Sequence, residues 1–338
     1  MRIAAMVTGT TLLAGLFGMA GAQPALGADP GLLGLVMPEA RSLAGLNAAA
    51  AKVSPLGQFI LSKAAGAGQG VQLLEATTGF DPARDVSEVL VASAGDPANP
   101  AALVLVRGVF DATKLAAVLG ARPGMTVSTY AGATLVSGVT PPQKTEQGVA
   151  FPGGTIAVLG DLNLVKAALD RGTVSSSIDP VLAAQVSRLS AADDAWFVGK
   201  APAGGLASGT AAPAGGALGG PAQAILPLLK GVQTISGGVR LGSNVQIDIE
   251  ALTADAQSAA ALAAFLGLAK GIAGANPQAA PAAQVIQDIQ VQANGNAVEL
   301  SLSIPESQLE SFVSSFRKGA GAAIQRRIAP ADAQPAQK

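Results

Sequence analysis

Two alternating segments on either side of Asn294-Gly295 predict a β-hairpin, and this pattern restricts the fold more than any other part of the chain. The apolar positions are Ile289, Val291 and Ala293 before the turn and Val298, Leu300, Leu302 and Ile304 after it. Alternation at a period of two around Asn-Gly is typical of a two-residue turn in which both central residues take positive φ. With Asn294-Gly295 as the turn, Val291 faces Val298, so both apolar sets share one face of a sheet. Ile289 faces Leu300 in the same register.

A second hairpin is predicted between residues 234 and 251. Its solvent-facing positions are Gln246, Asp248 and Glu250, which alternate with apolar residues. A three-residue loop at 242–244 sets Val239 opposite Ile247 and keeps the apolar residues on one side. A two-residue loop would set Val239 opposite Gln246 and mix core positions with solvent positions. We therefore predict the Val239–Ile247 pairing.

The order of the predicted elements indicates an α+β fold, in which antiparallel sheets carry helices packed on one face. Residues 88–171 give strand, strand, helix, hairpins and helix, and residues 234–318 give strand, strand, helix, hairpin and helix. The last helix follows Pro305 and has its apolar stripe at Leu309, Phe312, Val313 and Phe316. We therefore expect two similar halves of the strand-strand-helix-hairpin-helix type, the first with an extra hairpin.

Composition predicts the boundaries of these halves. Residues 1–22 have a short positive start and an uncharged apolar run, which is typical of a signal peptide, with cleavage after Ala22 or Ala28. The predicted order is then an N-terminal α+β half at 30–200, an Ala/Gly/Pro-rich linker at 201–222, a C-terminal α+β half at 223–318 and a disordered tail at 319–338. Because cleavage leaves no transmembrane segment, we expect an exported protein of the periplasm or the extracellular space.

The chain of 338 residues contains no cysteine and no histidine. Zinc sites built from those residues and nucleophiles activated by imidazole are therefore excluded, and no cofactor is predicted. The formal net charge of −1 gives no overall field that would attract nucleic acid. An exported chain without cysteine also lacks disulfides, so its stability depends on its core.

Asp81 and Asp85 are the first candidate site residues. They lie four residues apart with Arg84 between them, so on a helix they would share one face. Such a pair could serve general acid–base chemistry. The alternative interpretation is structural, with a helix cap and a local ion pair to Arg84 that close a turn.

Asp193 and Asp194 are the second candidate pair, and they precede Trp196, the single tryptophan of the chain. A glycosidase-like pair needs two carboxylates that face each other across the sugar. Adjacent residues in a strand point to opposite faces of the sheet. We therefore expect Asp193 and Asp194 to have a loop or cap role.

Two predicted strands are apolar at consecutive positions, namely residues 103–106 and 196–198. Strands of this kind are covered on both sides. Helices on one side and the N-terminal segment on the other would account for the pattern. The alternative is that part of this surface lines a cavity for an apolar ligand.

The chain resembles exported bacterial proteins of the domain-of-unknown-function type. The resemblance is carried by the signal peptide, by the segments 78–82 (TGFDP) and 193–198 (DDAWFV), and by the strand-to-helix step at 302–305 (LSIP). It covers most of the mature chain and implies an envelope or extracellular setting, without implying an activity.

Together these observations favour an exported, non-enzymatic protein that acts by binding or as a structural component of the cell envelope. Its partner would be an envelope protein or an apolar ligand. The alternative is a periplasmic carrier of an apolar, lipid-like ligand, and a carboxylate-dependent hydrolase is a more distant one.

Overall fold

The computed structural model describes residues 27–54, 58, 69–96, 99–139, 145–172, 178–201, 228–274, 285–305 and 308. Four expectations fall on residues outside these ranges. They are the signal peptide at 1–22, residues 202–222 of the predicted linker, the helix after Pro305 and the tail at 319–338.

Within the described ranges, twelve strands form one sheet in which every pairing is antiparallel. The strands are β1 Ser42–Asn47, β2 Val86–Asp96, β3 Asn99–Gly108, β4 Met125–Tyr130, β5 Ala133–Gly138, β6 Gln147–Phe151, β7 Ile156–Asp161, β8 Ala195–Lys200, β9 Val232–Arg240, β10 Asn244–Thr253, β11 Gln290–Asn294 and β12 Ala297–Pro305. Their order across the sheet is β11-β12-β10-β9-β8-β1-β2-β3-β7-β6-β5-β4.

The α-helices pack on this sheet. They are α1 Pro30–Gly34, α2 Ala48–Val53, α3 Gln69–Thr78, α4 Pro82–Asp85, α5 Ala112–Gly120, α6 Leu162–Arg171, α7 Pro180–Ala192 and α8 Ala256–Gly274. Mixed helices and antiparallel strands confirm the α+β class. In the part of the chain that the structure describes, no helix is both long and apolar enough to cross a membrane.

The strand order joins the two predicted halves into a single sheet through β8, which pairs with β1 on one side and with β9 on the other. In each half, the second strand of a later hairpin pairs with the strand that comes before helix α5 or helix α8. These pairings are β7 with β3 and β12 with β10. The wider similarity of the two halves stays a prediction.

Helices lie on both faces of the sheet, whereas the sequence led us to expect them on one. On the front face, defined by Leu105 and Trp196, the core contains residues of α1, α6 and α7. On the back face, defined by Phe151 and Ala157, it contains Leu115 of α5. The reason is the apolar run in β3, because Leu103 and Leu105 are fully buried on the front while Val106 packs into the back cluster.

The registers of the two C-terminal hairpins can be compared with the predicted pairings residue by residue. Val239 does lie opposite Ile247, which confirms that pairing. The register predicted for the other hairpin is wrong, because Val291 lies opposite Leu300 and the turn residues are Gly295 and Asn296. Of these two, only Gly295 has positive φ (58°), the sign pattern of a type II′ turn, which needs glycine at its first central position. The shift is two residues along one strand, so the apolar sets still meet on one face.

Helix α7 positions the candidate site. Asp179 caps it by accepting the N–H of Val181 at 2.9 Å, and Lys200 at the end of β8 donates to the same carboxylate at 2.7 Å. Its apolar side packs into the front core through Leu182, Val186 and Leu189. Its C-terminal end therefore lies where β8 begins.

Candidate binding surface beside helix α7

Asp194 ties the end of α7 to the strands around it. Its backbone N–H donates to the carbonyl of Val239 at 3.0 Å, and its Oδ2 accepts the N–H of Leu241 at 3.0 Å. Its carbonyl accepts the N–H of Asn47 at 2.7 Å. Burial raises the pKa of Asp194, although the hydrogen bond from Leu241 acts in the opposite direction. Asp194 thus links β1, β8 and β9 at the place where the halves meet.

Asp193 is the C-cap residue of α7, and only 6% of it is exposed. Its carboxylate occupies the space above Gly238 that a Cβ at that position would fill. Burial raises its pKa to about 6, against the attraction of Arg240 and with the repulsion of Asp248 and Asp194. Asp193 is therefore a buried acid that is only partly neutralised by an arginine.

Trp196 is a core residue, 3% exposed. It lies between two glycines in the register of the sheet, Gly45 on β1 and Gly238 on β9. The indole extends over Gly45, while Asp193 fills the space over Gly238. Trp196 is therefore a core residue near Asp193, and its ring is not accessible to a ligand.

Two arginines connect α7 to β10. Arg240 donates to the carbonyl of Ala192 and to Gln246 Oε1, both at 2.9 Å, and its guanidinium lies 3.7 Å from Asp193. Arg188 of α7 reaches Glu250 Oε2 at 3.1 Å. These bonds hold the outer side of α7 beside the strands that follow.

Beyond α7, the front face of β10 and β12 is made of polar side chains. The pairs Gln246–Ser303, Asp248–Ser301 and Glu250–Glu299 lie directly opposite each other, and we call these six residues the polar face. Gln246, Asp248 and Ser303 are exposed and the other three are half-buried. The polar face is thus open to solvent, while Leu103 and Leu105 on the front face of β3 are fully buried.

A surface groove of about 430 Å³ runs along α7 and is lined by Pro180, Val181, Ala184, Gln185 and Arg188. These residues recur at helical spacing, so they form one side of the helix. Because Arg188 also pairs with Glu250, the groove borders the polar face. Val181 is 55% exposed, which gives the groove an apolar end.

The other candidate pair lies elsewhere, at the short helix α4. Asp81 caps this helix by accepting the N–H of Ala83 at 2.8 Å, and Asp85 accepts the N–H of Asp81 at 2.9 Å. Asp85 also forms an ion pair with Arg84 at 2.7 Å, and the hydrogen bond from Arg84 lowers its pKa. Among the described residues, no hydrogen bond or ion pair joins these two acids to Asp193 or Asp194. The same part of the chain holds no group of three His, Cys, Asp or Glu residues that could bind a metal ion.

The sequence pattern of β10 already indicated the solvent-facing side that contains Asp248 and Glu250. It gave no sign of Arg188 and Arg240, because each arginine meets its acid through tertiary structure. Asp193 is nearly adjacent to Arg188 along the chain, yet its main cation is Arg240. The predicted Val239–Ile247 pairing sets Arg240 opposite Gln246, but it does not place either arginine beside an acid.

No protein-family model and no curated protein matches the chain. Among solved structures, crystal form III of TP0453 is similar, with a TM-score of 0.51 at 9% identity over 87% of this chain and 99% of that one. Crystal forms IV and I of TP0453 give TM-scores of 0.48 and 0.45, at 9% and 12% identity. They cover 83% and 86% of this chain and 96% and 99% of the TP0453 chains. The likeness to crystal form III supports the α+β fold.

Proposed function

We propose that this is an exported, non-enzymatic binding protein of the cell envelope, and that the polar face together with the groove of α7 is its binding surface. The observation that carries the proposal is the contrast between the two regions of the front face. Side chains of the core cover the front face at β3, whereas the front face of β10 and β12 is exposed to solvent. A surface rich in amide, hydroxyl and carboxylate groups suits a polar partner, such as a hydrophilic face of an envelope protein.

A binding role accounts for the acids better than catalysis does. Asp194 has its carboxylate bonded to the backbone of Leu241, and Asp193 is buried against Gly238. Neither carboxylate lines the groove of α7. Asp81 and Asp85 are engaged in capping and in an ion pair. General acid–base catalysis requires groups within reach of a substrate.

The apolar-ligand alternative stays a prediction that no specific contact favours. The apolar strand that suggested it, β3, has Leu103 and Leu105 buried among residues of α1 and α6. On the back face, Val106 packs beside Phe110 and Phe151. Both sides of this strand are therefore occupied by side chains of the chain itself.

The test compares the binding of envelope extract by the purified mature protein and by two variants. Ser301→Trp places a large ring in the polar face, and Thr113→Trp places one on the exposed side of α5 as the matched control. We expect wild type and Thr113→Trp to retain the same envelope protein, and Ser301→Trp to lose it at least tenfold. Equal retention by all three proteins contradicts the proposed surface.

The non-enzymatic part is tested separately with ester, glycoside and peptide substrates. We expect no turnover above buffer. Turnover that disappears in Asp193→Asn or Asp81→Asn, with the fold intact by circular dichroism, would show that the carboxylates are catalytic. N-terminal sequencing of the cell-derived protein checks export, with Gln23 or Asp29 expected as the first residue.

A further inference from the structure

Strand β4 forms one edge of the twelve-stranded sheet. It pairs with β5 along its whole length, from Met125 to Tyr130, and has no second strand neighbour in the described part of the chain. Four consecutive side chains of β4 are exposed, from Thr126 to Thr129, and Val127 is 49% exposed. The outward N–H and C=O groups of such a strand can pair with another strand.

Among the described residues, this edge has none of the features with which proteins usually protect an edge strand. Those features are charged side chains, proline, bulges and a covering element. The sequence of β4, MTVSTY, contains no charge and no proline, and its register with β5 is continuous. Threonine, valine and tyrosine also favour extended backbone. The unpaired edge of β4 can therefore form hydrogen bonds with a further strand.

Helices hold β4 in place from both faces. On the front, Tyr130 donates its hydroxyl to Asp170 of α6 at 3.0 Å, and the ammonium of Lys166 lies 5.4 Å from the ring centre. On the back, Val127 packs against Gly120 of α5, where a Cβ would overlap it. A strand that is fixed before binding loses less conformational entropy when a partner strand is added.

The composition of β4 fits a second copy of itself. In an antiparallel pairing of two identical strands, a two-fold axis sets the residue on the axis opposite its own copy, and every other residue opposite the one equally far on the other side of the axis. A charge on or beside the axis would then lie next to its own copy in the partner strand, which is destabilising. Strand β4 has no charge, and its central side chains Val127 and Ser128 are small enough to pair with themselves.

The opposite edge of the sheet, β11, is a less suitable partner. Lys270 of α8 donates to the carbonyl of Ile289 next to its first residue, so one end is already occupied. Pairing of β4 with β11 of another copy would also leave a free edge at each end and add copies without limit. Pairing of β4 with itself uses the β4 edge of both copies, so no further copy can add there and the assembly closes as a dimer.

We infer that β4 pairs antiparallel with β4 of a second copy, extending the sheet across a two-fold axis beside Val127 or Ser128. Six residues of strand pairing bury less surface than a standard protein–protein interface. We therefore expect a weak dimer. This inference is independent of the binding surface at α7, which belongs to the other end of the sheet.

The absence of cysteine allows a direct test by single-cysteine crosslinking in the full mature chain. Directly opposite residues of antiparallel strands have Cβ atoms close enough for a disulfide. Under mild oxidation we expect a covalent dimer from Val127→Cys or from Ser128→Cys, with the residue on the axis giving the much higher yield. Gln292→Cys on β11 and Thr113→Cys on α5, both exposed, are the controls and should stay monomeric.

Sedimentation equilibrium provides the second measurement. We expect wild type to dimerise, Val127→Lys to weaken dimerisation at least tenfold, and Thr113→Lys to leave it unchanged. Circular dichroism verifies that each variant is folded. A wild type that remains monomeric at millimolar concentration overturns the inference. So does crosslinking at Gln292→Cys equal to that at β4, or a disulfide between Val127→Cys and Gln292→Cys proteins.

Discussion

The indole of Trp196 lies over Gly45 of the adjacent strand, in the space that a Cβ on residue 45 would occupy. The two residues are directly opposite in the pairing of β8 with β1, and Trp196 is 3% exposed. The contact therefore lies within the predicted N-terminal half, between β1 and β8. Because Trp196 is the single tryptophan, its fluorescence reports on this contact.

Replacement of Gly45 by alanine should destabilise the protein. The added methyl group overlaps the indole ring, and overpacking of a core costs about 1–3 kcal/mol. We expect a lower midpoint of urea unfolding and an altered Trp196 emission in the folded state. The control is Gly267→Ala on α8, where no atom lies near the new Cβ and the stability should rise by about 0.5–1 kcal/mol. Equal stability of both variants would contradict the contact.

Replacement of Asp194 by alanine removes the acceptor for the buried N–H of Leu241. An unsatisfied buried donor costs about 1–3 kcal/mol. We expect Asp194→Ala to be destabilised by that amount in urea unfolding. Asp194→Asn keeps an oxygen acceptor and should lose less than half as much. Equal destabilisation of the two variants would show that the hydrogen bond to Leu241 does not account for the contribution of Asp194 to stability.

Asp193 should make stability depend on pH. Its pKa is raised to about 6 in the folded protein, so folding favours the protonated form. The contribution is fully present below the usual carboxyl pKa of 3.8 and is lost as pH rises through about 6. At about 1.4 kcal/mol per pKa unit, the loss is at most about 3 kcal/mol.

The measurement is the free energy of unfolding of wild type and Asp193→Asn at pH values from 4 to 7.5. Groups that shift in the other direction, such as Asp85, cancel in the difference between the two proteins. We expect the variant to gain stability relative to wild type as pH rises across this range. A difference that stays constant with pH contradicts the raised pKa.

Arg107 should hold the N-terminal segment on the front face. Its Nε donates to Asp29 Oδ2 at 3.0 Å, and Asp29 in turn caps α1 by accepting the N–H of Gly31 at 2.7 Å. Burial raises the pKa of Asp29, but the hydrogen bonds from Arg107 and the backbone outweigh this and leave it lowered. We expect Arg107→Ala to cost about 1–3 kcal/mol and to speed amide hydrogen exchange in residues 30–37.

Arg84→Ala is the matched control for that experiment. Arg84 is 65% exposed and pairs with the adjacent Asp85, and solvent weakens exposed ion pairs of this kind. We expect little change in stability and none in the hydrogen exchange of residues 30–37. Faster exchange there in both variants would mean that the segment responds to a general loss of stability.

Local patterns predicted the parts of the fold that depend on local chemistry. The pairing of Val239 with Ile247 followed from alternation and from the length of the loop. The sequence predicts the turn of the last hairpin at Asn294-Gly295, one residue before the observed turn at Gly295-Asn296. Asparagine and glycine both tolerate positive φ, and the alternation of apolar residues is the same in both registers. The back-face helices and the position of β1 depend on contacts between distant segments, which no window of sequence contains.

The candidate site likewise has one part that the sequence predicts and another that depends on contacts between distant segments. The solvent-facing side of β10 was readable from Asp248 and Glu250, because it is a property of one strand. The burial of Asp193 depends on Gly238 and Arg240, which approach it only when β9 pairs with β8. Its pKa is therefore a property of the assembled sheet.

The position of β1 has a consequence for the order in which the chain can fold. Strand β1 is made first, and it finds β2 soon afterwards, but Leu46 must wait for Ala195, about 150 residues later, to close its other edge. Until then β1 keeps one unpaired edge and Gly45 stays uncovered, because the strand that contains Trp196 has not yet paired with it. The folding chain can therefore pass through a stage in which β1–β7 are paired while the edge of β1 that later pairs with β8 is still exposed, and at this stage a chaperone can bind that edge.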